Sequence, residues 1–143
     1  MILAVLDTNV LVSAMISPGG PPGRILSAWR IGEFLQCTSP ELIGELRDVI
    51  GRSKFQRHDR RVLERAELLI EAMLNVPNFV KPAYIPRVVP NDPDDDVVLA
   101  TAVAGRVDGI VSGDQHLLAL GRHQGIAIMT PLQFLAELPR RSH

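Results

Sequence analysis

Residues 2–9, ILAVLDTN, and residues 109–114, GIVSGD, decide the fold of this 143-residue chain. Each is a short apolar run that leads into a carboxylate. Ile2 to Leu6 has no polar residue, which suits a strand covered on both faces, as in a parallel sheet between helices. Gly109 to Ser112 predicts a second strand of the same kind. Working outward, Pro18 to Gly23 (PGGPPG) is a turn-rich loop, followed by a helix over Arg24 to Ile31 and a short strand over Phe34 to Cys37. Ser39 offers an N-cap with Pro40 at the first helical position. Leu42, Ile43, Leu46, Val49 and Ile50 then recur on one helix face. Asp59 is placed to cap another helix reaching Met73. Residues 76–91 contain four prolines and read as loop or edge structure. Helices are expected over Asp94 to Ala104, Gln115 to Leu120 and Thr130-Pro131 to Leu138, with a strand over Ile126 to Met129. The alternation of strands and helices predicts one α/β domain spanning 1–143, a three-layer α/β/α sandwich around a central parallel sheet.

Composition narrows the classes. The chain is 46% hydrophobic and 22% charged, with a mean hydropathy of +0.14, which excludes a disordered or collagen-like polymer. No apolar run approaches the ~20 residues of a membrane span. The apolar amino terminus has no basic leader and is interrupted by Asp7, so it reads as a strand rather than a signal peptide. A single cysteine, Cys37, offers no internal disulfide and no zinc spacing, so a reducing, cytoplasmic location is the expectation. The net charge of −1 predicts no partner, but its distribution is uneven. Between Arg47 and Arg65 stand seven Lys and Arg against three acids, and four of the five residues from Asp92 to Asp96 are Asp. A basic segment and an acidic knot suit a polyanion bound around a cation-filled acidic site. Two solvated surface patches are the plainer alternative.

Asp7 and Asp114 each follow an apolar strand. If those strands are parallel neighbours, both acids project from one edge of the sheet, where an unpaired charge is expensive to desolvate. A divalent cation resolves that cost; capping of the next helix or turn is the alternative for either residue alone. Glu45 falls on the flank of an apolar helix stripe, together with Glu41 and Asp48, and a solvated acidic flank is its alternative. In the Asp92–Asp96 knot the helix dipole accounts for one or two acids, not four. Asp95 lies one turn before Leu99 and is the preferred inward acid, with Asp96 as its substitute. Asp7, Glu45, Asp95 and Asp114 make an oxygen-only donor set, which selects Mg²⁺ or Mn²⁺ over zinc and suits phosphodiester hydrolysis.

These blocks carry a resemblance. LDTNVLVSA, SPELIGELRDVI, NDPDDDVVLATAVAGRVDGIVSGDQHLL and IMTPLQFL, in this order, resemble the PIN-domain family. The branch most similar is that of toxin components of toxin–antitoxin systems, the VapC-type toxins. The resemblance runs from Ile2 to about Leu138. It implies an α/β/α fold, an Mg²⁺- or Mn²⁺-dependent ribonuclease acting on RNA, a homodimer and a cognate antitoxin. Position by position, it places the family's four acids at Asp7, Glu45, Asp95 (Asp96 adjacent) and Asp114. Asn9 and Ser112 take supporting positions. Where many members carry a further acid two positions after the fourth, this chain has His116, which leaves the number of metal ions open.

The remaining features have plainer readings. Arg52, Lys54, Arg57, Arg60 and Arg61 suit either an RNA backbone or an acidic antitoxin segment. His116 reads as a surface residue at a helix start, Cys37 as a small core hydrophobe, and Trp29 and Phe34 as core or dimer-interface residues. Two rival functions fit the sequence less well. A catalytically silent binding module gains little from mutually repelling carboxylates. An aspartyl-phosphate enzyme lacks both a second acid at Asn9 and a lysine after a central strand.

Overall fold

The computed structural model describes residues 1–52, 60–89 and 92–139. Among them, six strands form one sheet: β1 (Leu3–Leu6), β2 (Leu35–Thr38), β3 (Asn78–Phe79), β4 (Gly109–Val111), β5 (Arg122–His123) and β6 (Ile126–Met129). Their order is β3-β2-β1-β4-β6-β5. Every neighbouring pair is parallel except β5 and β6, which form an antiparallel edge hairpin. The helices are α1 (Thr8–Ile16), α2 (Pro21–Arg30), α3 (Pro40–Gly51), α4 (Arg60–Met73), α5 (Pro93–Gly105), α6 (Gln115–Leu120) and α7 (Pro131–Glu137).

Strand alternation separates two cores, because successive side chains leave opposite faces of a sheet. Ala4, Leu6 and Val111 pack on one face with apolar residues of α1, α2, α4 and α7. Val5 and Ile110 pack on the other with α5 and α6. The chain is therefore the three-layer α/β/α sandwich expected from its sequence. Phe34 and Phe134 meet edge to face in the first core, ring centroids 4.9 Å apart, and Trp29 packs half-buried against the same core. Cys37 is buried in the second, where desolvation pushes its thiol up to about 11. Among the described residues, no helix is long and apolar enough to cross a membrane.

Helix α1 has no counterpart in the sequence expectations. Its residues, TNVLVSAMI, are apolar around most of the helix, so no helical stripe stands out. It is tied down at both ends: Asp7 caps its start, and Arg65 Nη1 donates to the Met15 carbonyl at 3.0 Å. Helix α2 begins at Pro21, three residues earlier than expected. Pro21 and Pro22 occupy first-turn positions, where the missing N–H costs nothing. Ser39 and Thr130 cap α3 and α7 as anticipated, the latter through a reciprocal capping box with Gln133. The expected cap at Asp59 lies outside the described residues.

Gly23 is buried in α2, and a Cβ there would run into the Pro18 backbone carbonyl. The α1–α2 turn therefore requires the absent side chain, although alanine is the better helix former. We expect Gly23→Ala to destabilise the fold by about 1–3 kcal/mol, the usual cost of overpacking. Thermal unfolding checks this as a lowered Tm.

Candidate metal centre

The carboxyl ends of β1 and β4 set the geometry. Leu6 pairs with Val111 in parallel register, so Asp7 and Ser112 leave the sheet side by side. The strand order reverses between these two strands, with β2 and β3 on one side of β1 and β4 on the other. Such a switch point opens a crevice beyond the strand ends. Here it is a cavity of about 340 Å³, lined by Asp7, Thr8, Asn9, Glu45, Asp92, Asp94, Asp95 and Asp114 among others. The structure thus brings together all four acids expected from the sequence, although they lie on four different elements.

Asp7 is 4% exposed and is held through both oxygens. Oδ1 accepts from the Thr8 amide at 2.7 Å, and Oδ2 accepts from the Ser112 hydroxyl at 2.6 Å and Asn9 Nδ2 at 3.2 Å. Asn9 Oδ1 in turn accepts from the Gly113 amide, and Ser112 Oγ from the Asp114 amide. Asn9 and Ser112 therefore tie the end of β1 to the loop after β4. Burial raises the Asp7 pKa, the bonds from Ser112 and Thr8 oppose the rise, and the charges of Asp114 and Asp92 add to it. Asp114 Oδ1 caps α6, accepting from the amides of His116 and Leu117 at 2.7 and 3.4 Å. Capping and lining the cavity are thus both true of Asp114.

Glu45 is half-buried because α3 straddles the two cores, with Leu42 in one and Ile43 and Leu46 in the other. Asp48, on the same helix, is exposed. The Ser39 and Thr101 hydroxyls, 2.8 Å apart, fasten the start of α3 to α5, which carries Asp95. Burial, then the charges of Asp94 and Asp7, push the Glu45 carboxyl up to about 7. Asp95 is 3% exposed, and burial followed by the adjoining Asp92 carboxyl pushes it up to about 8.

Asp96 is also buried, but its role differs. Its Oδ1 accepts from the amides of Val88 and Val89, both at 2.8 Å, and it is not part of the cavity wall. Asp95 enters the cavity, while Asp96 pins the 88–89 segment to α5.

Asp92 and Asp94 also line the cavity, and sequence reasoning did not single them out. The signal is the knot itself, in which only Asp95, with Asp96 as its substitute, is an expected ligand. Asp92 stands at the N-cap position of α5 without a side-chain cap bond. Desolvation acts against its ionisation, but hydrogen bonds with Asp95 and His116 prevail and lower its pKa. One ligand atom each from Asp92, Asp95, Asp114 and His116 lie within 4.8 Å of one another. Arg52, Arg60 and Arg61 are exposed. Lys54 and Arg57 lie outside the described residues.

The donor set fits a hard divalent cation. Six carboxylates, from the ends of β1 and β4, from α3 and from the start of α5, share one cavity. Glu45 Oε2 and Asp95 Oδ2 are buried without a hydrogen-bond partner among the described residues. Buried carboxylate oxygens left this way are costly, and a cation satisfies them.

The profile of the PIN domain matches residues 4–116, and the chain belongs to that family. It is 26% identical over 150 residues to the uncharacterised protein MJ1680 of Methanocaldococcus jannaschii, covering 97% of this chain and 93% of that one. Among solved structures, PAE2754 from Pyrobaculum aerophilum superposes with a TM-score of 0.61 at 12% identity, covering 95% of this chain and 88% of that one. VapBC2 from Rickettsia felis, solved with a DNA fragment from its promoter, gives 0.57 at 12%, covering 90% and 98%. FitAcB from Neisseria gonorrhoeae gives 0.57 at 15%, with the same coverage. These likenesses establish the fold.

The raised carboxyls carry a pH signature. In the metal-free fold Glu45 and Asp95 hold protons that the unfolded chain releases near the ordinary carboxyl values of 4.5 and 3.8. The folded state binds more protons between those values and about 7 and 8, so stability falls as pH rises through that window. We expect the Tm of metal-free protein to drop from pH 5 to pH 8, and Asp95→Asn to flatten the drop. Asp96→Ala, which strands two amides, lowers the Tm at both pH values.

Proposed function

We propose that this chain is a metal-dependent endoribonuclease, a single domain over residues 1–143 that hydrolyses RNA phosphodiester bonds. We further propose that it is the toxin of a toxin–antitoxin pair, a cytoplasmic homodimer inhibited by a cognate antitoxin. The observation that carries the nuclease reading is the convergence of Asp7, Glu45, Asp95 and Asp114 on one cavity, with buried carboxylate oxygens left unpartnered. A binding module has no need of such a charge-repelling arrangement. Membership of the PIN family supports the reading, and the resemblance of the four sequence blocks to VapC-type toxins supports the toxin assignment.

In this reading Asp7, Glu45, Asp95 and Asp114 hold Mg²⁺ or Mn²⁺. A bound cation supplies charge neutralisation at the phosphodiester and eases ionisation of the attacking water. The chain's own groups do the positioning. Ser112 and Asn9 lock the Asp7 carboxylate in one orientation through three donors counted with Thr8, so it does not rotate away when the site is loaded. The Ser39–Thr101 bond fixes the spacing of α3 and α5, and with it the approach of Glu45 to Asp95. Glu45, whose carboxyl burial and the neighbouring acids push up to about 7, would give up that proton when it takes its place as a ligand. Thr8 lines the same cavity, and its hydroxyl is placed to donate to the Glu45 carboxylate or to a phosphate oxygen. Arg52 and Arg60 extend the reach to flanking phosphates, which makes binding salt-sensitive. An acidic antitoxin segment would meet the same guanidinium groups.

The test is cleavage of a panel of structured and single-stranded RNAs by purified protein with Mg²⁺, Mn²⁺ or EDTA. We expect metal-dependent cutting, reduced at least a hundredfold by Asp7→Asn and by Asp114→Asn. Cutting that survives in both variants would reject the assignment of the site. Metal binding with no cutting of any RNA or DNA would favour the silent binding module.

A further inference from the structure

The Asp92–His116 pair is left over when the four expected acids have been placed. His116 is the second residue of α6, and its amide is committed to the Asp114 cap at 2.7 Å. That bond fixes where the imidazole starts. Its Nδ1 lies 3.3 Å from Asp92 Oδ2 and 3.8 Å from Asp114 Oδ1, while the side chain remains 67% exposed. An ordinary surface pair accounts for a single contact of this kind and contributes little. It does not account for the other facts.

Asp92 holds the N-cap position of α5, and its carboxylate Oδ2 faces His116 Nδ1. Asp95, beside it, is 3% exposed and lines the cavity, and its Oδ2 has no hydrogen-bond partner among the described residues. One ligand atom from each of Asp92, Asp95, Asp114 and His116 falls within a 4.8 Å span. Ligands on opposite sides of one small divalent ion stand about 4–4.4 Å apart, so side-chain adjustment alone closes the set. Asp7 and Glu45 line the same cavity but are not among these four.

We propose that Asp92, Asp95, Asp114 and His116 form a mixed nitrogen–oxygen cation position at the α5–α6 side of the cavity, with an imidazole nitrogen of His116 as a direct ligand. The position takes a divalent transition ion in preference to Mg²⁺. The reason is ligand chemistry: carboxylates serve Mg²⁺ and Mn²⁺ alike, whereas imidazole bonds well to transition ions and poorly to hard Mg²⁺. The inference rests on the cation-site reading given above and adds to it the ligand that sets ion preference.

The test uses full-length protein stripped with EDTA and then dialysed. Mn²⁺ is added, and pulsed electron paramagnetic resonance reads nitrogen modulation from a directly bound ¹⁴N. Calorimetry gives Mn²⁺ and Mg²⁺ affinities for wild type and His116→Ala, a variant that keeps the capping amide and removes an exposed side chain. We expect ¹⁴N modulation in wild type and its loss in His116→Ala. Mn²⁺ affinity should fall roughly tenfold or more while Mg²⁺ affinity changes little. Bound Mn²⁺ without ¹⁴N modulation, or a Mn²⁺-to-Mg²⁺ preference unchanged in the variant, would overturn the proposal and reduce His116 to a surface partner of Asp92, leaving the carboxylate site intact. Failure of wild type to bind Mn²⁺ at all would overturn both the proposal and the cation-site reading beneath it.

Discussion

The Ser112 hydroxyl donates to Asp7 Oδ2 and accepts from the Asp114 amide, and through it the ends of β1 and β4 become one rigid unit. The bond exists because Leu6 and Val111 are in register, which in turn depends on β1 being buried on both faces. A hydroxyl-to-carboxylate bond of 2.6 Å is charge-assisted and strong, and it offsets part of the cost of burying Asp7. The other carboxylates have no equal compensation. Glu45 and Asp95 are desolvated with an oxygen left unpartnered, and their raised pKa values register that cost. For these two residues the fold accepts that cost at the topological switch point, where both line the same cavity.

Helix starts explain how so many acids are tolerated together. Helices α1, α5 and α6 have their N-cap residues in the cavity wall, so the positive end of each helix dipole lies beside the acids. Asp7 and Asp114 are therefore N-caps and cavity walls at once. In the sequence these two readings stood as alternatives for each residue. The structure shows that one carboxylate oxygen can satisfy a helix while the residue still faces the cavity.

Much of this was legible in the sequence. Unbroken apolar runs identified β1 and β4, and a carboxylate after each identified the sheet edge that matters. Ser39-Pro40 marked the start of α3, and the Asp95-to-Leu99 spacing favoured Asp95 as the inward acid while leaving Asp96 as its substitute. Other features left no local signal. Helix α1 is apolar around most of its circumference, so no 3.6-residue stripe distinguishes it from loop or strand. The β5 edge strand is two residues, Arg122-His123, and exists only because the chain turns back on β6. Asp92 stood in the sequence only as one acid of the knot, and its contact with His116 depends on the placement of α6, which brings in a residue 24 positions further on. Asp96 could not be assigned to Val88 and Val89 from sequence, since that contact bridges a segment with no regular element.

The central claim is that the cavity at the β1–β4 switch point is built to hold a divalent cation. Diffraction from crystals of the full chain saturated with Mn²⁺, recorded for its anomalous signal, tests this directly. The account predicts an anomalous peak inside the cavity, bonded to carboxylate oxygens that include those of Asp95 and Asp114. A cavity with no peak at saturating Mn²⁺, its carboxyls instead paired with one another through shared protons, would contradict it.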